Sequence, residues 1–339
     1  MNIIKYFGIG VVILVSTFVI VGLFLPSEVH VERATVIDAS VTTVFTLLNG
    51  FPLYNEWSPW AEMDSEAVYT YEGPAFGTGA RMLWVSDKQQ VGSGTQEITS
   101  SIPYSEILTF LDFGEQGTAD AFYRLTPMED GIRVVWGFDT DLGNNLIVRY
   151  VGLGMDGMVG PDFEKGLANL KTFAESLPAS DWSDLTIEIV ETEAIKIAYS
   201  SRSTTHEHEE IGKAMASAYR DIGRYMKKNR LEKAGQPLAV NHEWTESYIF
   251  DAAIPITAMP KSEPGPDAKV RVGYTPSGQA IKAIHVGPYS EMAGTYTKIK
   301  AYAAASGLKL GETPWEQYIS DPGDTPDEEL VTHIYYPIG

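Results

Sequence analysis

The chain contains no cysteine, which excludes thiol catalysis, disulfide bonds and thiolate metal centres alike. That absence suits either redox compartment and says nothing about location. Positive charge is scarce. Lysine and arginine number 25 against 45 aspartates and glutamates, for a net charge of −20 and a pI near 4.6. Such a surface repels phosphate backbones and anionic headgroups, so a nucleic-acid partner is not expected. There is no glycine-rich phosphate loop and no Ser-His-Asp arrangement, and no cofactor is expected. What the chain does have is apolar and aromatic mass. Its 339 residues are 44% apolar and include 7 Trp, 18 Tyr and 13 Phe, enough for about two folded domains.

The longest uncharged run is Phe7 to Pro26, "FGIGVVILVSTFVIVGLFLP". As a helix it reaches ~30 Å, the thickness of a bilayer's hydrocarbon core. A cleaved signal peptide is the alternative, but the run is long for one and no small-x-small cleavage site follows, so residues 7–26 read as a retained membrane anchor. Lys5 and the α-amino group precede it, and Glu28, Glu32 and Arg33 follow. This weak bias predicts a cytoplasmic N-terminus and exported domains.

Residues 29–178 read as one domain. Val29 and Val31 begin a strand, and "DASVTTVFTLLNGF" reads as a short helix capped by Asp38 or Ser40. From Tyr69 to Trp136, short β-like runs separated by Gly, Pro and Asp predict a meandering antiparallel sheet. A helix from Gly160 to about Leu177 carries Phe163, Leu167, Leu170 and Ala174 on one face, ready to lie on that sheet. The blocks "YNEWSPWAEMD", "YEGPAFGTGARMLW", "VGSGTQEITSSIP" and "MVGPDFEKGLANLKTFAE" resemble the SRPBCC superfamily, the START-related helix-grip fold that includes polyketide cyclase/dehydrase and lipid-transfer members. The resemblance implies a cavity for an apolar ligand between sheet and helix, but no single chemistry. Trp84, Tyr123 and Trp136 fall on sheet strands and are candidate lining residues. Glu56 flanks Trp57 and Trp60, and Asp139 and Asp141 close a strand, yet no histidine lies between Val31 and His206 to pair with a carboxylate.

A polar, turn-rich stretch follows, with residues 179–183 read as a linker and 184–339 as a second domain. This part repeats itself. "AIKIAYS" from Ala194 matches "AIKAIHVG" from Ala280, and the pairs Tyr219/Tyr296, Tyr225/Tyr302 and Pro237/Pro314 each stand 77 positions apart. The repeat predicts two strand-helix-strand-strand units sharing one sheet, with both helices on one side and the opposite concave face free for a ligand. The expected class is therefore α+β throughout, after the N-terminal transmembrane helix.

Within the second domain, "HVGPY", "PWEQYISDP", "DTP" and "VTHIYYPI" strongly resemble the GyrI-like small-molecule-binding domain, found also as the effector-binding half of AraC-type and multidrug-responsive regulators. By the match "PWEQY", the resemblance assigns Glu316 the family's buried acidic position. A carboxylate among aromatic rings is costly to bury unless a cation or donors meet it. The expected ligand is accordingly flat, amphipathic and cationic, stacked on Trp315, Tyr318 and Tyr289 or Tyr274. The first repeat has Ala239 in the place of Glu316, so one carboxylate is expected per pocket. Catalysis is a second reading, with Glu316 as a general base for hydrolysis or cyclisation. A third is a protein-binding inhibitor module of unspecified partner.

Other polar clusters have plainer readings. His206 and His208 in "TTHEHEEIGK" point to different faces of a helix and cannot chelate together. A capping box with Thr204 as N-cap and Glu207 at the third position accounts better for this run. His285 reads as structural, and Asp321 and Asp324 as turn formers.

Overall fold

The computed structural model describes the backbone of residues 2–265 and 267–339, with side chains from residue 6 onward. The basic flank read at Lys5 and the α-amino group lies outside the described side chains. The chain divides into two compact units, Met1–Ala179 and Ser180–Gly339.

Unit 1 opens with α1 (Asn2–Phe24). Its stretch Tyr6–Phe24 is almost wholly exposed and is long and apolar enough to cross a membrane, a property a signal sequence would share. There follow β1 (Glu28–Ile37), α2 (Val41–Leu48), α3 (Tyr54–Trp57) and α4 (Pro59–Met63), then the strands β2 (Val68–Glu72), β3 (Arg81–Val85), β4 (Ser93–Ile102), β5 (Glu106–Asp112), β6 (Thr118–Met128) and β7 (Gly131–Asp141). The last elements are α5 (Leu146–Gly152) and α6 (Met155–Ser176). All strands pair antiparallel in the order β1-β7-β6-β5-β4-β3-β2. This is a meander whose first strand returns beside its last.

Helix α2 starts where it does because the Ser40 hydroxyl accepts the Thr43 backbone N–H at 3.1 Å. Helix α6 grips the sheet through Phe163, Leu167, Leu170 and Ala174, all buried. It begins at Met155, five residues before the Gly160 that hydropathy predicts, with Pro161 inside it. The N–H that proline lacks would have met the carbonyl of Gly157, a residue exposed to water, so the helix carries through. Close approach of helix and sheet depends on Gly166, where a Cβ would lie 2.7 Å from Trp136 Cζ3.

Unit 2 contains β8 (Thr186–Thr192), β9 (Lys196–Thr204), α7 (His208–Asn229), β10 (Leu238–Trp244), β11 (Tyr248–Pro255), β12 (Arg271–Tyr274), β13 (Gly278–Val286), α8 (Met292–Ala305), β14 (Trp315–Tyr318) and β15 (Val331–Pro337). Its sheet runs β12-β9-β11-β10-β14-β15-β13-β8. The repeats are β9-α7-β10-β11 and β13-α8-β14-β15, meeting at the β10/β14 pair. There Ala239 lies directly opposite Glu316, the two positions related by the internal repeat. Each extra strand caps the other repeat: β8 pairs with β13, and β12 with β9. Trp182, in the stretch read as linker, is buried edge-on to Tyr302 at 6.0 Å and belongs to this unit.

Helix α7 begins at His208 with Glu207 at its N-cap, and Thr204 is the last residue of β9, so the predicted capping box does not form. The β9 ladder runs on to Thr204, paired with Tyr248. Backbone pairing there outcompetes a local side-chain cap.

Both helices lie on one side of the sheet, α7 over β9 and β11 and α8 over β13. An eight-stranded sheet is roughly 34 Å wide, and two helices of ~10 Å diameter cannot cover it. The uncovered strip is the central pair β10/β14. It lies on the helix side, and not on the opposite face where the sequence pattern put the ligand. That other face is occupied at its centre by the protein's own side chains, Leu238, Val240, Ile197 and Trp315 among them.

Candidate functional site

The strip between α7 and α8 is a groove of about 1000 Å³. Ile211, Met215 and Tyr219 of α7 form one wall and Met292 and Tyr296 of α8 the other, while Asn241, Glu316 and Tyr318 make the floor. This volume is at the upper end of that needed for a drug-sized molecule. Strand alternation decides which side chains reach it. In β14, "WEQY", Glu316 and Tyr318 face the groove and Trp315 and Gln317 face away.

Glu316 is buried, with 7% of its surface exposed. Its Oε1 accepts from Asn241 Nδ2 at 3.0 Å and from the Tyr296 hydroxyl at 2.8 Å, and its Oε2 accepts from the Tyr318 hydroxyl at 2.8 Å. The Tyr248 hydroxyl donates to Asn241 Oδ1 at 2.6 Å and holds that amide in its orientation. Asn241 stands beside a β-bulge at His242 that shifts the β10/β11 register. No lysine or arginine forms an ion pair with Glu316 among the described residues. Burial pushes the Glu316 carboxyl above its ordinary range, and the hydrogen bonds from Tyr318, Tyr296 and Asn241 pull it part of the way back. Burial, and then the charge of Glu316, raises the hydroxyls of Tyr219, Tyr248, Tyr296 and Tyr318. These phenols stay protonated and serve as donors. The site is a buried carboxyl ringed by neutral donors and open to a groove.

The structure brings Glu316, Tyr318 and Tyr289 together, Tyr289 standing edge-on to Tyr318 at 5.5 Å. Trp315 and Tyr274 lie elsewhere. Trp315 stacks on Tyr335 across the other face, with centroids 4.9 Å apart and planes within 3°. Tyr274 is 58% exposed on the edge strand β12, away from the groove. The aromatic surround is instead built from Tyr219, Tyr248 and Tyr296. Two of these carried a signal in sequence, the repeat pair Tyr219/Tyr296. Asn241 carried none, since its role depends on a bulge and on a strand distant in sequence.

His206 and His208 sit at the rim of the groove, His206 beside Trp244 at 4.7 Å and bonded to the Thr245 carbonyl at 2.9 Å. Among the described residues no three His, Asp or Glu converge to hold a metal. His285 is buried, with Nε2 3.2 Å from the Pro288 carbonyl and Nδ1 2.8 Å from Thr295 Oγ1. A carbonyl only accepts, so the Nε2–H donates to Pro288. This histidine pins the β13 to α8 connection. Asp321 Oδ1 accepts the Gly323 N–H at 2.9 Å, an ordinary turn contact.

In unit 1 the candidates Tyr123 and Trp136 are buried against each other, 5.4 Å between ring centroids, and Trp136 stacks on Phe163 of the gripping helix at 4.2 Å. They fill the space between sheet and helix with their own rings. The Trp57 indole N–H is enclosed there with no hydrogen-bond partner among the described residues. Trp84 stands apart, half-buried, donating to the Val91 carbonyl at 3.3 Å and edge-on to Phe113.

Fold and site together define a chain of two α+β units of the small-molecule-binding kind. Residues 185–338 match the GyrI-like small molecule binding domain, and residues 28–175 match the family described as polyketide cyclase / dehydrase and lipid transport. Among solved structures, the chain is similar to the EcmrR C-terminal domain, at 18% identity over 46% of this chain and 98% of that one, with a TM-score of 0.41. It is also similar to a hydrolase from Listeria innocua, at 17% identity over 45% of this chain and 92% of that one, with a TM-score of 0.34. No curated protein matches the chain.

Proposed function

We propose that unit 2 captures a flat, amphipathic, cationic small molecule in the groove above Glu316, for sensing, sequestration or transfer. The apolar helix α1 holds both units at a membrane, on the side away from the N-terminus. One observation carries the binding role. Glu316 is a buried carboxyl with three neutral donors and, among the described residues, no lysine or arginine partner, at the floor of an open, aromatic-rich groove. Its raised affinity for protons is the same field that a ligand cation would satisfy. Tyr289, Tyr318 and the rim residue Trp244 offer ring faces and edges, with cation-π attraction worth ~0.5–2 kcal/mol per contact. In unit 1 the enclosed Trp57 N–H suits a single buried water.

The test is titration calorimetry with ligand pairs matched in shape, one a quaternary ammonium and the other its neutral carbon isostere. The cation should bind more tightly by a factor that persists in moderate salt, because a buried charge is little screened. Equal binding of both members would sink the proposal. The raised carboxyl also favours a second reading, with Glu316 as a general base for hydrolysis. Turnover of a bound ligand that disappears in Glu316→Gln would put that reading first.

A further inference from the structure

Helix α5 and the residues that follow it bear an unusual surface. Ile147, Val151, Leu153 and Met158 are 67%, 50%, 64% and 53% exposed. Single exposed apolar residues are ordinary, but four within twelve positions of one segment form a patch. Between Leu146 and Met158 the charges are Asp156, ion-paired with Arg33 at 2.9 Å, and Arg149, which is turned inward. Its Nε donates to the Gly143 carbonyl at 2.9 Å and its Nη1 to the Leu25 carbonyl at 3.3 Å.

This segment is fastened to the last turns of α1. The Tyr150 ring stacks on Phe18 at 4.3 Å, and its hydroxyl donates to the Phe18 carbonyl at 2.8 Å. Gly22 permits the approach, since a Cβ there would lie 3.2 Å from Tyr150 and 3.3 Å from Leu146. Phe18 lies six residues before the end of α1, which at 1.5 Å per residue is ~9 Å along its axis. A 19-residue span has no length to spare in crossing ~30 Å of hydrocarbon. If α1 crosses, whatever packs on Phe18 is carried below the headgroups.

We propose that α5 and Leu153 are embedded in the membrane leaflet at which α1 ends, so that unit 1 rests directly on lipid with the Arg33–Asp156 ion pair at its polar edge. The inference builds on the anchor reading of α1 and adds a second contact. The occupant of the patch is the bilayer, because the patch is continuous with the membrane-length helix and its one cation is turned inward, donating to backbone carbonyls. A short, interfacial helix with an apolar outer face is suited to the acyl boundary.

The absence of cysteine makes the test direct. Ile147→Cys, Val151→Cys, Ile13→Cys and Glu129→Cys, each in the full chain, are labelled with a polarity-sensitive fluorophore and reconstituted in phosphatidylcholine vesicles with or without a lipid-borne quencher. Ile13 lies mid-way along α1, and Glu129 in the turn at the far end of β7 from α5. All four positions are exposed, and unchanged circular dichroism confirms that each variant is folded. The expected result is blue-shifted, quenched emission at residues 13, 147 and 151 and solvent-like emission at 129. Quenching at 13 with solvent-like emission at 147 and 151 overturns the docking while the anchor stands. Blue-shifted but unquenched emission at 147 and 151 assigns the patch to a second protein surface and overturns it too. No quenching at 13 removes both readings.

Discussion

Replacing Glu316 by glutamine changes charge and almost nothing else. The amide oxygen takes the place of Oε1 and accepts from Asn241 and Tyr296. The amide nitrogen takes the place of Oε2 and donates to the Tyr318 hydroxyl, which turns from donor to acceptor. A ligand cation ~4 Å from the carboxylate gains about 4 kcal/mol at an effective dielectric near 20. Competition from the three donors reduces this, and a loss of about 2–4 kcal/mol in Glu316→Gln corresponds to a roughly 30- to 700-fold weaker Kd. Titration calorimetry of the matched ammonium and neutral ligands reads this directly, with the neutral member unaffected. Equal losses for both ligands, or no loss for the cation, would refute charge recognition. The empty protein supplies a second readout. Because the folded carboxyl lies above its unfolded value, ionising Glu316 costs stability as pH rises from the ordinary carboxylate range through the raised one. Glu316→Gln, without ligand, should therefore melt higher than wild type at neutral pH. That advantage should close as pH falls below the ordinary carboxylate range, where the wild-type side chain is neutral in both states.

The neighbours of Glu316 give further predictions. Tyr318→Phe removes a donor to a charged acceptor and should cost about 1.5–3 kcal/mol in denaturant unfolding at neutral pH. The loss should shrink under acid conditions that protonate Glu316, and a pH-independent loss would mean the hydroxyl serves packing alone. Ala239→Asp places a second carboxylate opposite the first across β10/β14, and two such groups cannot both ionise cheaply. Unfolding at neutral pH should become easier, with partial recovery in acid. Unchanged stability would mean that the strip is better solvated than its burial indicates. Trp315→Phe should lower stability by roughly 1–3 kcal/mol through the lost stack on Tyr335 while leaving ammonium selectivity intact. A selectivity change would return Trp315 to the site.

Much of the architecture was legible before any coordinates. The length of the apolar run at 7–26 sets what α1 can do, since rise per residue is a constant of the helix. Alternating and 3.6-fold hydropathy identified the meander and the gripping helix, because burial on one face imposes those periods locally, and matching segments 77 positions apart identified the two repeats. Even the asymmetry of the site was written as Glu316 against Ala239. Tertiary structure alone decided which side chains line the groove. That the groove opens between the helices follows from sheet width against helix diameter, a quantity no single segment contains. That Trp315 faces away while Glu316 faces in follows from strand pleat once the covered face is known, and covering depends on partners distant in sequence. Asn241 and Tyr296 reach the Glu316 carboxyl from two other elements while Tyr248 of a third holds the amide, and Tyr150 of α5 meets α1 across more than a hundred residues. Contacts of that range are set by how the elements pack together, and local sequence has no record of them.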